Sequence, residues 1–143
     1  MKSLDITTTA RRSRLMARVR RRDTPAELSV RQLLHANGVR FRIHGGGLPG
    51  SPDIVNRSRH WAIFVHGCYW HAHQGCSRWR LPKRNREFWA RKFIRNRERD
   101  RQNVRALEAL GFEVLVIWEC EVKERAALRM RLHEFLSGAT APR

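Results

Sequence analysis

The twelve residues Val65-His66-Gly67-Cys68-Tyr69-Trp70-His71-Ala72-His73-Gln74-Gly75-Cys76 hold two cysteines, three histidines and two aromatics. Thiolates and imidazoles are the ligands that a tetrahedral zinc site takes, and imidazole is the side chain that exchanges protons near neutrality. Cys68, His73, Cys76 and the distant Cys120 can supply four zinc ligands, with spacings along the loop that fold around one ion. His71 lies as close in sequence and competes with His73 for that place. Three buried free cysteines and a surface histidine are the plainer alternative, but a loop this dense in ligands favours the metal.

A second feature lies upstream, in Leu48-Pro49-Gly50-Ser51-Pro52-Asp53-Ile54-Val55. Asp53 follows a proline and enters an apolar strand, so its backbone is held. One carboxylate with a main-chain carbonyl is enough protein for Mg²⁺, which keeps several waters and can polarise a phosphodiester. His71 or His66, delivered by the next strand, can then act as general base. Tyr69 and Trp70 sit among these groups. Apolar side chains beside a catalytic loop can wedge between base pairs, although packing around the metal also explains them. Met16, in a basic segment, is a further candidate wedge.

These groups need a scaffold, and the apolar patterning supplies one. Thr24-Pro25-Ala26-Glu27 reads as a helix start, with Thr24 as cap, Pro25 at the first helical position and Glu27 at the capping-box position. Capping accounts for Glu27 completely, so a catalytic role is an added claim. Leu28, Leu33 and Leu34 mark the helix's apolar face and Asn37-Gly38 ends it. Val39–Ile43, Ile54–Val55 and Trp61–Val65 read as strands, the last two joined by a polar turn at 56–59. A long helical stretch, Asn85–Leu110, follows, with Phe88, Phe93, Val104, Leu107 and Leu110 as buried positions. Its middle is almost wholly charged, which suggests either two helices or one bridging solvent. Glu113–Trp118 reads as a fully buried strand and Ala126–Leu136 as a last helix. If the strands ending at Val65 and Trp118 share a sheet, Cys120 falls beside the ligand loop. His35, His44, His60 and His133 are expected at the surface without partners. The order αβββαβα implies an α/β sandwich around one mixed sheet.

At 143 residues the chain accommodates one domain. Thirty Lys and Arg against thirteen Asp and Glu give a net charge of +17, which calls for a polyanionic partner and is the footprint of nucleic-acid binding. No apolar run approaches the roughly 20 residues that span a bilayer, and no secretory signal is visible, so a cytoplasmic, nucleoid-associated protein without membrane contact is expected. An odd count of three cysteines argues against a disulfide framework. The basic segment 1–23 reads as a DNA-contacting arm, 24–137 as the catalytic domain and 138–143 as a short tail.

Taken in order, Leu48-Pro-Gly-Ser-Pro-Asp53, Ile63-Phe-Val-His-Gly-Cys-Tyr-Trp-His71, Phe88-Trp89, Asn96 to Asp100 and Val116-Ile-Trp-Glu-Cys120 resemble the very short patch repair endonucleases. The resemblance runs from about Thr9 to Leu136. It implies a restriction-endonuclease-like three-layer sandwich with a structural zinc. It also implies nicking of double-stranded DNA 5′ of the thymine in T:G mismatches left by 5-methylcytosine deamination. By position it implies Mg²⁺ on Asp53 and the main-chain carbonyl of Val65, zinc on Cys68, His73, Cys76 and Cys120, and His71 as the catalytic histidine. His66 and Glu27 would support it, and Met16, Tyr69 and Trp70 would intercalate. Tyr69 stands where one member of that family has phenylalanine and Val65 where it has threonine. The first keeps an aromatic, and a carbonyl ligand tolerates any side chain. A monomer is expected, with mismatch-repair proteins as further partners. Two alternatives are a nuclease of the same fold with another site specificity, and a non-catalytic zinc-stabilised DNA-binding module. Asp53 with His71 weighs against the module, since binding alone needs neither.

Overall fold

The computed structural model describes residues 23–77 and 79–139. The basic segment before Asp23, with Met16 in it, lies outside the described residues. The first helix, α1, spans Pro25–Ala36. The Thr24 Oγ1 accepts from the Glu27 amide at 3.2 Å, satisfying one of the amide groups a helix start leaves free. Gly38, at φ +69°, takes the left-handed position after its end. Strands β1 (Arg42–Ile43), β2 (Ile54–Asn56) and β3 (Trp61–His66) follow, then α2 (Arg86–Ala109), β4 (Glu113–Trp118), a 3-10 turn (Glu119–Lys123) and α3 (Arg125–Ala139).

The sheet has the order β1-β2-β3-β4. β1 and β3 each pair antiparallel with β2, whereas β4 lies parallel to β3, with α2 as the crossover. Alternation along β3 and β4 sorts their side chains onto two faces. Trp61, Ile63 and Val65 join Leu115 and Ile117 against Val30, Leu33 and Leu34 of α1 and Leu128 and Leu132 of α3. Ala62 and Phe64 join Val114 and Val116 against Val104 and Leu107 of α2. The result is three layers: two helices, a mixed sheet and one long helix. Ile63 is fully buried, so truncation to alanine should cost about 2–5 kcal/mol. The same alternation puts His66, two residues beyond Phe64, on the α2 face. In the parallel register it stands beside Trp118.

Several sequence expectations are corrected. The first strand is two residues long rather than five, because β2 offers only Ile54 and Val55 as partners and the Arg40 carbonyl is taken by the Asn56 side chain at 3.1 Å. The central helix is unbroken over 24 residues. Leu110 at its end is 56% exposed, and Leu28 of α1 is 42% exposed, so neither belongs to the core. β4 is not buried throughout: only Leu115 and Ile117 are, because α2 covers the other face incompletely. Three of the histidines expected to lack partners have them. His44 Nε2 lies 3.3 Å from Asp23 Oδ1, His35 packs against Phe41 and His60 against Phe112. Among the described residues, no helix is long and apolar enough to cross a membrane.

Candidate active site and metal centre

Asp53 reaches its place through a tight entry. Gly50, at φ +73°, packs so close to α2 that a Cβ there would lie 2.8 Å from the Asn103 side chain; only glycine fits that approach. The chain then turns into β2, and Asp53 Oδ2 accepts from the Val65 amide at 2.7 Å. The carboxylate therefore sits against the end of β3, from which the ligand loop departs. Burial raises the Asp53 pKa from its usual 3.8 to about 7, the Val65 amide opposes that rise, and the nearby Glu27 carboxylate adds to it.

Glu27 is only 1% exposed and does not close the expected capping box. Its Oε2 accepts from the Asp23 amide at 3.1 Å and from Arg31 Nη2 at 3.2 Å. Arg31 also holds Asp23 at 2.7 Å, and that guanidinium keeps the Asp23 carboxyl below its usual range. A buried acid kept beside Asp53 by a cation is an arrangement that capping does not require.

The loop after β3 is wound by successive turns: the amides of His71, Ala72, His73 and Cys76 donate to the carbonyls of Gly67, Tyr69, Cys68 and His73. This winding separates the histidines that the sequence left as alternatives. His71 turns toward α2, where its Nδ1 lies 2.7 Å from Asp100 Oδ2. It stacks on His66, with ring centroids 3.8 Å apart and planes within 2°. His66 is 6% exposed, and its Nδ1 has no hydrogen-bond partner among the described residues. Burial, then repulsion from His71, lowers its pKa from 6.5 to about 3, so this ring is neutral at physiological pH. That makes it a poor proton acceptor and leaves His71 as the base the geometry favours.

His73 turns the other way. Cys68, His73, Cys76 and Cys120 place one ligand atom each within 4.8 Å of all the others, and Cys120 Sγ lies 3.5 Å from His73 Nδ1. Two zinc ligands at ordinary bond lengths and tetrahedral angle stand about 3.6 Å apart, so the four residues fit the ion. Cys120 arrives because β4 lies beside β3 and the 3-10 turn begins at once. Glu121 fastens that turn, accepting from the Trp118 amide at 3.0 Å and pairing with Arg131 of α3. Burial pushes the Cys68 thiol up to about 12 and raises that of Cys120; a bound cation reverses that logic by holding thiolates. Trp118 separates the two groups of histidines. His73 stacks on it at 4.0 Å, while His66 and His71 meet it edge-on at 5.3 and 6.3 Å.

Tyr69 and Trp70 are half-buried against an aromatic cluster built on Trp89 and Phe93. Their rings meet edge to face at 5.7 Å. Asn96 Nδ2 donates to the Trp70 carbonyl at 3.1 Å, and Lys92 Nζ lies over the Trp70 ring at 5.6 Å. Beside His71 opens a cleft of about 510 Å³. Arg97, Arg101 and Arg105, four residues apart on α2, line it, so they form one cationic row.

Sequence reasoning missed Asp100, Arg31 and Trp118 as parts of this site. Asp100 carried a signal: Phe93, Asp100, Val104 and Leu107 share one helical face, so this acid lies on the buried side of a charged stretch. Arg31 and Trp118 carried none, since their contacts depend on how the loop and turn wind.

A mixed sheet between helices makes this an α/β sandwich, with Asp53 and the His71–Asp100 pair at one end of adjacent strands. The catalytic domain of the homing endonuclease I-Bth0305I has a similar fold, with a TM-score of 0.58 over 83% of this chain and all of that domain, at 17% identity. The model of the family described as DNA mismatch endonuclease Vsr matches residues 4–78. The type II nicking enzyme V.XorIIP of Xanthomonas oryzae pv. oryzae is 48% identical over 88% of this chain and 92% of its own length. The DNA mismatch endonuclease Vsr of Escherichia coli K12 is 39% identical over 96% of this chain and 90% of its own. The chain belongs to the Vsr family and is a DNA endonuclease.

Proposed function

We propose that this endonuclease nicks double-stranded DNA 5′ of the thymine in T:G mismatches, by Mg²⁺-dependent hydrolysis of one phosphodiester. The observation that carries the chemistry is the placement of Asp53 and of the His71–Asp100 pair at the same end of β2 and β3. Asp53 and the main-chain carbonyl of Val65 would hold Mg²⁺, a hard-oxygen set suited to that ion. Bound there, it would polarise the phosphate and stabilise developing charge. His71 Nδ1 is engaged by Asp100, which leaves Nε2 to take a proton from the attacking water. The neutral His66 ring, stacked on His71, limits its rotation. Glu27, held by Arg31, tunes Asp53. Cys68, His73, Cys76 and Cys120 would hold a structural zinc that fixes the loop. Tyr69 and Trp70 would open the stack beside the mismatch, with Met16 contributing from the N-terminal arm, while the arginine row meets backbone phosphates. The enzyme would act as a monomer, with mismatch-repair proteins as further partners.

The E. coli relative is named for mismatch cleavage, which supports this specificity over another nicking site. The test is nicking of T:G and matched duplexes, with and without Mg²⁺. Metal-dependent nicking confined to the T:G duplex is expected. Equal cleavage of both duplexes would indicate another site specificity, and no cleavage of either would favour a DNA-binding module.

A further inference from the structure

Asp23 and His44 both hold left-handed backbone, each at φ +55°. That conformation is unfavourable for a residue with a Cβ and persists where neighbours over-determine it. Their side chains meet: His44 Nε2 lies 3.3 Å from Asp23 Oδ1, which Arg31 Nη2 holds at 2.7 Å. Beyond His44 the contacts lead to Asp53. β1 ends at Ile43, yet its pairing with β2 carries on for two residues. The His44 amide donates to the Asp53 carbonyl at 3.0 Å, and the Gly45 amide to the Pro52 carbonyl at 2.7 Å. A Cβ on Gly45 would lie 3.2 Å from that Pro52 oxygen, so this segment lies hard against Pro52 and Asp53. Asp53 is thus held from two sides, its carboxylate by the Val65 amide and its main chain by His44.

We propose that His44 is a positioning residue for the metal-binding carboxylate: clamped by Asp23, its backbone fixes the Asp53 peptide and so the aim of the Asp53 side chain. The proposal rests on the reading that Asp53 holds Mg²⁺. Groups behind a metal ligand set its orientation and the affinity of the site. Two residues of β1 supply little ladder of their own, and three glycines follow His44. The tether to Asp23 keeps that pliable loop from loosening the pairing at Asp53. Because Arg31 holds both Asp23 and Glu27, α1 and the entry to β2 share one frame. The buried Glu27 and Asp53 then keep a fixed separation.

The test is Mg²⁺ binding to the full-length protein without DNA, by calorimetry, beside the Mg²⁺ dependence of nicking. His44→Gly removes the side chain yet takes the left-handed backbone freely, so the fold is not penalised. It should weaken Mg²⁺ binding about three- to fivefold, the scale of a partly exposed polar pair. Half-saturating Mg²⁺ for nicking should rise by the same factor, with the rate at saturating Mg²⁺ within about twofold of the parent. His44→Gln, whose amide N–H has a similar reach, should recover most of the loss. Asp23→Gly should match His44→Gly, and the double variant should be no worse than either, because one tether is lost in all three. Parent affinity in His44→Gly, no recovery in His44→Gln, or additive losses in the double variant would overturn the proposal. So would a lower saturating rate at unchanged Mg²⁺ affinity. Asp53→Ala separates the two readings. If it loses Mg²⁺ while His44→Gly keeps parent affinity, only the positioning role fails; if it binds Mg²⁺ as the parent does, the metal reading fails and this proposal with it.

Discussion

His71 and Asp100, far apart in sequence, meet through a 2.7 Å contact between Nδ1 and Oδ2. The loop after β3 brings one and the middle of α2 the other, so helix and loop must both be in place before the pair exists. A carboxylate on Nδ1 fixes the imidazole tautomer and leaves Nε2 for the proposed proton transfer.

Asp100→Asn should therefore reduce nicking by about 10²–10⁴-fold, the range expected for general-base catalysis. Duplex affinity and helix content should be unchanged. His71→Ala should match it, and the double variant should be no worse than either single one, because the two side chains act as a unit. Additive losses in the double variant would mean that Asp100 acts on something other than His71.

Asp53 gives a prediction with a sign. Its pKa in the fold is raised to about 7 from 3.8, so the folded state holds the proton more tightly than the unfolded chain between those values. Its contribution to stability then falls as pH rises through that window. Asp53→Asn should remove nicking yet make the metal-free protein more stable at pH 8, on the order of 1–2 kcal/mol after solvent screening is discounted. Mg²⁺ must also displace that proton. Calorimetry in buffers of different ionisation enthalpy should detect about one proton released per ion at pH 6 and almost none above pH 8. Metal binding that releases no proton at pH 6 would remove Asp53 from the metal site.

The zinc reading rests on the Cys120–His73 distance of 3.5 Å. Purified protein should contain about one zinc per chain by elemental analysis. Cys120→Ser should lose the metal and melt at a lower temperature, because binding energy at such a site is folding energy. It should also weaken nicking with Asp53 untouched, because His73 and His71 share one loop. Metal-free protein with unchanged melting would exclude a structural zinc.

Much of this was legible in the chain because local rules and tertiary demands agree. Pro25 and Thr24 start α1, β3 is apolar throughout, and the ligand spacing of Cys68, His73 and Cys76 marks their loop. Cys120 could be placed on condition that the strand before it shares a sheet with β3, and the parallel pairing of β3 with β4 meets that condition. The illegible parts depend on long-range geometry. The divergence of His71 from His73 arises from loop winding. The inward turn of Glu27 arises because Arg31 and the Asp23 amide claim its carboxylate, where a local capping argument predicts a different partner. The two-residue β1 reflects the shortness of β2, which the composition of Val39–Ile43 does not encode.

In the proposed mechanism Trp70 would link mismatch recognition to the chemistry. It is adjacent in sequence to His71, its carbonyl is fixed by Asn96, and Lys92 lies over its ring. Its side chain is half-buried rather than free, so entry into a base stack must draw it off the Trp89 and Phe93 cluster. Unstacking a base step costs on the order of a few kcal/mol, and less beside a T:G wobble than beside a Watson–Crick pair. That difference can provide selectivity. Trp70→Ala should therefore lose rate on T:G duplexes and lose preference over T:A duplexes, while salt-sensitive binding to matched DNA, supplied by the arginines, changes little. Trp70→Phe keeps an aromatic face and should recover much of the preference. Nicking of T:G against T:A substrates, with binding titrations at two salt concentrations, separates these effects. If Trp70→Ala keeps its mismatch preference and loses only thermal stability, the ring serves as packing for the loop, and discrimination must come from elsewhere on the protein.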